Sequence, residues 1–400
     1  MRRINTSIFV VLIISSILLS ACGSVATPAA IEVTAPAATE AVVVPIATKP
    51  AVPTAAKPTA LPPGSVQING AGATFPLPIY TEWTYAYQYV DPSVVINYQG
   101  IGSGGGKKAI IDNTVDFAGS DSLLKDEEYA AGKDLQMYPA LAGAVVPIYN
   151  VEGITSEDAA LILNGNALVG IYNATIKKWN DPALVALNPD LKDKLPDKDI
   201  VAVHRADGSG TTEIFTKALT SFSPDWTAGG ASSIEWPVDK AGNGIGGKGN
   251  PGVAAAVMNT PNSIGFVELS YAIANKILFA QVVNKAGKTV KASAESLVSA
   301  MNDFADMFDA KLTNTIVDAP GEKSWPISAY TYIILHTTSM TDCVKAQKLL
   351  EYLNWTLTDA GASKRAADLG YAVLPETVQK MVLAKLGEVT CNGKPVITAP

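Results

Sequence analysis

The chain has 400 residues, 48% of them hydrophobic and 7% aromatic, with 30 Lys+Arg against 37 Asp+Glu and a formal charge of −7. An acidic body lacks the basic stripe that nucleic-acid binding requires, so no nucleic-acid partner is expected and any anion site must be built locally. Two histidines and three cysteines, in no CxxC or HExxH spacing, leave a metal or metal catalysis almost no ligands to draw on.

Residues 1–22, MRRINTSIFVVLIISSILLSAC, have two arginines, an apolar run from Ile8 to Leu19 and small residues ending at Cys22. That is the layout of a secretory signal, and the apolar run is shorter than the ~20 residues a membrane-spanning helix needs. Leu19-Ser20-Ala21-Cys22 resembles the bacterial lipobox, so the expectation is a lipoprotein, cleaved before Cys22 and anchored to the membrane by lipid on it. Loss of Arg2 and Arg3 with the signal makes the body more acidic still. Residues 23–64 are mostly Ala, Pro, Thr and Val, with no aromatic. Repeated prolines remove backbone donors and small side chains cannot build a core, so this is an extended tether. The remainder is long enough for two lobes of roughly 150 residues, each with a core. Cys343 and Cys391 then face an exported setting, where a disulfide between them is one reading and two buried thiols the other.

Along the folded part, strand and helix patterns alternate. Val94–Gln99 reads as a strand and Lys107–Ile111 as a helix start. Val115–Asp121 is strand-like again, and LLKDEEYAAG is helical up to Gly132. Ile200–Ala206 is a buried strand followed by a helix through Thr212 to Leu219. Trp325–His336 is a strand, and Val344–Leu357 an amphipathic helix. Such alternation indicates α/β layering with largely parallel sheets.

Four polar, glycine-containing clusters fall at strand ends or helix starts: GAGATFP (Gly70–Pro76), GIGSGGGKK (Gly100–Lys108), DFAGSD (Asp116–Asp121) and RADGSGTT (Arg205–Thr212). Helix N-termini offer unpaired N–H groups and a positive dipole end, which suit an oxyanion, and Ser/Thr hydroxyls add donors without charge. The same residues also cap helices for structural reasons alone. Rival chemistries fit less well. Gly100–Gly105 matches GxGxxG, but the motif alone is weak and an exported protein meets little dinucleotide. Gly242–Lys248 spells GxxxxGK, but Gly249 stands where a P-loop needs Ser or Thr for Mg²⁺. Ser209 as a nucleophile would need a base; His204 is on the opposite side of its strand from Arg205, and no GxSxG elbow surrounds any serine.

In order along the chain, GAGATFPLPIY, NYQGIGSGGGKKAII, NTVDFAGSD, IKKWNDP, RADGSGTT, WP with GGKGNPGVAA, and IGFVEL closely resemble the periplasmic phosphate-binding proteins of high-affinity phosphate ABC transporters. The resemblance covers residues 66 to about 380. It implies a two-lobed, type II periplasmic-binding-protein fold of the α/β class that closes on one phosphate and delivers it to a membrane permease, with no cofactor and no chemistry of its own. Position by position, it implies that Thr74 and Phe75 supply hydroxyl and backbone donors of the first loop and Ser103 the serine of the second turn. Arg205, Ser209, Gly210 and Thr211 supply the third set of donors. Asp121 is the implied acid at the ligand and Asp207 the partner of Arg205. Gly104 stands where relatives can carry a second serine, a difference expected to matter little.

The lobes are expected as residues 65–141 plus 331–400, and residues 142–330. Phosphate at neutral pH keeps a proton that an ionised Asp121 can accept; sulfate has none, and an unpaired buried charge facing it costs several kcal/mol. Asp121 could also cap a helix starting at Leu123. A monomer outside the cytoplasm is expected. The alternatives are a binder of another oxyanion, a secreted phosphatase, or a surface sensor or adhesin that uses the fold for partner contacts.

Overall fold

The computed structural model describes residues 64–155 and 160–397. The signal segment, Cys22 and the tether expected up to its last residue lie outside that range. Strand β1 (Val66–Gly72) pairs in parallel with β2 (Val94–Gly100) on one side and β3 (Phe117–Ser120) on the other. Next comes β4 (Leu135–Asn150), the longest strand, and then the short β5 (Ile162–Leu163). The second half adds β6 (Val201–Arg205), β7 (Gly244–Gly247) and β8 (Ser263–Glu268), then β9 (Gln281–Val283) and β10 (Thr289–Val290). The chain returns through β11 (Ser328–His336) and β12 (Ala372–Val373) and ends on the hairpin β13 (Thr390–Cys391) and β14 (Lys394–Pro395). The main sheet has the order β2-β1-β3-β11-β4-β8-β6-β7, with β12 beside β4, while β5, β9 and β10 form a small sheet of their own.

Two halves meet on β4. Its residues 135–144 pair antiparallel with β11, and residues 145–150 antiparallel with β8. The sheet is thus mixed and not largely parallel as the strand–helix alternation suggested: the strands at its centre, β11 and β4, run against their neighbours. The β4–β11 register slips between Thr331, opposite Leu141, and Tyr332, opposite Pro139. The extra residue, Ala140, makes a bulge, and Pro139 beside it lacks a ladder donor, which a bulge tolerates and a regular central strand does not. β11 is buried at all nine positions, as a strand covered on both faces should be, and this explains its near-continuous apolar run.

Registers place the polar turns. Gly72 lies opposite Gly100 and Gly119, so three turns leave the carboxyl ends of β1, β2 and β3 side by side. Arg205 lies opposite Gly247, so the turns after β6 and β7 also emerge together. Both sets then run into helices, Ser103–Ile111, Gly210–Phe222 and Gly249–Asn259. Crevices at the carboxyl ends of parallel strands are where ligands bind in such sheets. The predicted helix after Asp121 begins only at Asp126, so Asp121 does not cap it. Cys343, at the start of the helix Cys343–Thr358, is disulfide-bonded to Cys391 in β13, with the Cα atoms 5.5 Å apart.

Candidate functional site

Arg205 ends β6 and is buried, and Asp207 two residues on grips it through both carboxylate oxygens. Nε donates to Oδ1 at 2.8 Å and Nη2 to Oδ2 at 2.6 Å, a bidentate fork. Oδ1 also accepts the Gly249 N–H at 2.9 Å. Burial pushes the Asp207 carboxyl up, but the Arg205 fork and that amide outweigh it and hold it below its ordinary value. The third guanidinium nitrogen, Nη1, reaches Thr211 Oγ1 at 3.3 Å.

Ser209 is the N-cap of the helix Gly210–Phe222, its Oγ accepting the Thr212 N–H at 3.0 Å. The bonds of His204 run elsewhere, its Nδ1 facing the Arg205 carbonyl at 3.0 Å and its Nε2 facing Asp239 at 2.8 Å. Ser209 thus has a helix terminus beside it, and both ring nitrogens of His204 are bonded elsewhere, an arrangement that suits holding an anion.

The other half brings Ser103 and Asp121 to the same place. Ser103 Oγ accepts the Asp121 N–H at 3.2 Å and, from across the cleft, the Gly210 N–H at 3.1 Å, and donates its own proton to Asp121 Oδ2 at 3.3 Å. Thr331 Oγ1, from β11, donates to Asp121 Oδ1 at 2.7 Å. Burial pushes the Asp121 carboxyl up to about 7, with the Thr331 and Ser103 hydroxyls and the nearby Arg205 charge pulling the other way. Thr331 sat unmarked within an apolar strand pattern, and nothing in its sequence neighbourhood pointed to it.

Thr74 and Phe75 are buried on the first loop, and three tyrosines from distant segments hold that loop. Tyr98 Oη donates to the Ala73 carbonyl at 2.9 Å, Tyr271 Oη to the Thr74 carbonyl, and Tyr371 Oη to the Phe75 carbonyl at 2.7 Å. In a trans peptide the carbonyl and the following N–H point in opposite directions, and the described chain has no cis bond. Fixing the carbonyls of Ala73 and Thr74 therefore aims the N–H groups of Thr74 and Phe75 the other way. Thr74 Oγ1 accepts from Asn250, whose backbone N–H and Nδ2 are both 3.0 Å away. In the sequence Asn250 is marked only as part of GGKGNPGVAA, and nothing in that stretch singles out its side chain.

The two sets of turns touch. Gly104 N–H donates to the Gly208 carbonyl at 3.0 Å, and a Cβ on Gly104 would lie 3.3 Å from Gly208 Cα. A serine here is thus not indifferent, because it would press on backbone across the cleft. Gly102, at φ +83°, approaches Asp207 so closely that a Cβ would lie 2.4 Å from Oδ2. Among the described residues no group of three or more His, Cys, Asp or Glu converges as a metal site would.

Thr74, Ser103, Arg205, Ser209, Thr211 and the loop amides thus gather beside the buried carboxyl of Asp121. In its ionised form that carboxylate can accept a proton brought by an oxyanion. A model described as the PBP superfamily domain matches residues 57–360. The chain is 40% identical over 321 residues to the phosphate-binding protein PstS of Pasteurella multocida, covering 80% of this chain and 89% of that one. It is 35% identical to the PstS of Methanocaldococcus jannaschii, covering 80% and 86%. In structure it is similar to a high-affinity periplasmic phosphate-binding protein solved with phosphate bound, with a TM-score of 0.63 at 22% identity, covering 80% and 93%. That likeness gives the fold, two lobes around a cleft.

Proposed function

The chain belongs to the PBP superfamily and to the phosphate-binding PstS proteins within it, and from that premise we propose that it captures inorganic phosphate between its lobes and delivers it to an ABC permease. The observation that carries this reading is Asp121, a buried acid among donors drawn from both halves of the sheet. Thr74, Phe75, Ser103, Arg205, Ser209, Gly210 and Thr211 supply the donors. Asp121 accepts the phosphate proton, and Asp207 holds the Arg205 fork and partly neutralises it, so that the site does not attract every anion alike.

The lobes are residues 65–141 with 331–400, and residues 142–330. The change of pairing partner along β4 and the bulge opposite Thr331 support a hinge there. The protein binds and releases without chemistry; Ser209 caps a helix start and His204 is bonded to Asp239 and the Arg205 carbonyl, which favours this over a phosphatase. It acts as a monomer outside the cytoplasm, anchored by lipid on Cys22, a reading supported by the LSAC sequence after an apolar run.

Calorimetric titration tests the leading reading. Phosphate is expected to bind tightly with sulfate failing to compete in large excess at neutral to alkaline pH; comparable sulfate competition overturns it and favours a general oxyanion binder. Labelling with a lipid precursor is expected in the wild type and absent in Cys22→Ser, and persistent labelling refutes the anchor.

A further inference from the structure

A hydroxyl can donate or accept, and a free one adapts to whatever faces it. In this cleft that freedom is removed, and the residue that removes it is Asn250. It is fully buried in the first turn of the helix Gly249–Asn259. Its amide orientation follows from one contact: the Glu268 N–H lies 3.0 Å from Oδ1, and only an oxygen can accept that proton. Nδ2 therefore faces the other way, with one proton for each of two hydroxyls, Thr74 Oγ1 at 3.0 Å and Thr211 Oγ1 at 3.2 Å.

A hydroxyl oxygen has two acceptor lone pairs and one proton. Thr74 Oγ1 receives two bonds, from the Asn250 N–H and Nδ2. Thr211 Oγ1 also receives two, from Asn250 Nδ2 and Arg205 Nη1. With both acceptor sites filled, each threonine has only its proton to offer. Ser103 Oγ is treated alike by two backbone amides, those of Asp121 and Gly210.

We propose that Asn250 is a positioning residue that makes the Thr74 and Thr211 hydroxyls obligate donors to the bound oxyanion, leaving Asp121 as the group that accepts a ligand proton. The inference rests on the phosphate reading above and adds to it how the cleft counts protons. Rotatable hydroxyls would accept extra protons and admit a more protonated oxyanion; hydroxyls fixed as donors do not. Asn250 also spans the cleft, since Thr74 follows β1 and Thr211 follows β6, so the orientation of both hydroxyls is completed where the two halves meet.

The test is phosphate calorimetry on the full-length protein between about pH 6 and 9, with melting curves to verify folding. Asn250→Asp keeps the shape and the oxygen facing Glu268 but turns the donor into an acceptor, so both threonines redirect their protons to it. Phosphate binding is expected to weaken about 10- to 100-fold. Most of that loss is expected to vanish when the same change is made in a Thr74→Val/Thr211→Val background. A loss that persists undiminished there reflects the added charge alone and overturns the proposal. Asn250→Leu frees the hydroxyls instead, so affinity is expected to fall more steeply than in the wild type as pH passes the second ionisation of phosphate. An unchanged pH profile overturns the proposal independently of the Asp variant. A wild-type protein that binds no phosphate removes the functional reading and this inference with it, whereas tight wild-type binding with additive losses removes only the inference.

Discussion

At the scale of single residues, the proposed reading makes Asp121 the group that tells oxyanions apart. Its carboxyl is pushed up to about 7 by burial, so near neutral pH it passes between a neutral donor and a charged acceptor. When ionised it accepts a phosphate proton and repels sulfate. When neutral it can donate to sulfate, and the discrimination weakens. Phosphate-over-sulfate selectivity is therefore expected to rise with pH through about 7, by up to tenfold for each unit above it, because sulfate must then bind together with one proton. Competition calorimetry at a series of pH values checks this; selectivity flat with pH removes Asp121 from the role. Asp121, Arg205 and Asp207 fall in glycine-rich turns that the sequence marks, but their individual roles come only from the resemblance to phosphate-binding proteins. Thr331 and Asn250 were not legible, because a hydroxyl in an apolar strand and an amide in a glycine loop each look like ordinary packing or turn chemistry.

Among the elements, the first loop shows why sequence patterns stop short of a site. GAGATFP announces the loop, but its orientation depends on Tyr98, Tyr271 and Tyr371, which come from β2, the segment after β8 and the segment before β12. No local period links them; only the fold brings their hydroxyls to three successive carbonyls. Replacing Tyr98 or Tyr271 with Phe removes the hydroxyl while keeping the ring. Each substitution is expected to weaken phosphate binding about 3- to 10-fold through loss of loop alignment, the scale of one hydrogen bond. Calorimetry on the two single variants and the double variant measures this, and full affinity in the double variant would mean that the loop holds its own shape. The strands and helices themselves were largely visible from periodicity, although the helix after DFAGSD starts later than its pattern suggested, at Asp126.

For the whole molecule, buried carboxylates set the dependence of stability on pH. Glu268, fully buried beside this loop, is pushed up to about 8 by burial despite bonds from Ser270 and Tyr371. Its Oε1 has no hydrogen-bond partner among the described residues, which favours the neutral acid. A raised carboxyl binds a proton in the folded state that the unfolded state has released. Its stabilising effect is therefore complete below the unfolded value near 4.5 and is lost as pH climbs through about 8. The shift corresponds to a loss on the order of 4–5 kcal/mol over that window. Asp134 works oppositely: although burial pushes it up, His336 and the Thr338 and Ser339 amides hold it well below its ordinary range, so its contribution disappears in acid. The ligand-free protein is expected to melt highest at mildly acidic pH and progressively lower toward pH 9, with Glu268→Gln flattening the alkaline side. A melting temperature that does not fall between about pH 5 and 8 contradicts this account.

The order of strands has a further consequence, for how the chain is made. β11 lies between β3 and β4, but it arrives roughly 200 residues after β3. A polypeptide emerging amino end first must leave the facing edges of β3 and β4 unzipped until almost the whole chain is available, whereas β6, β7 and β8 can find one another sooner. Long-range strand insertion of this kind is slow and exposes edges that invite association with other chains. The half containing residue 66 is thus the last to be finished, and the Cys343–Cys391 bond can close only once the tail carrying Cys391 has emerged.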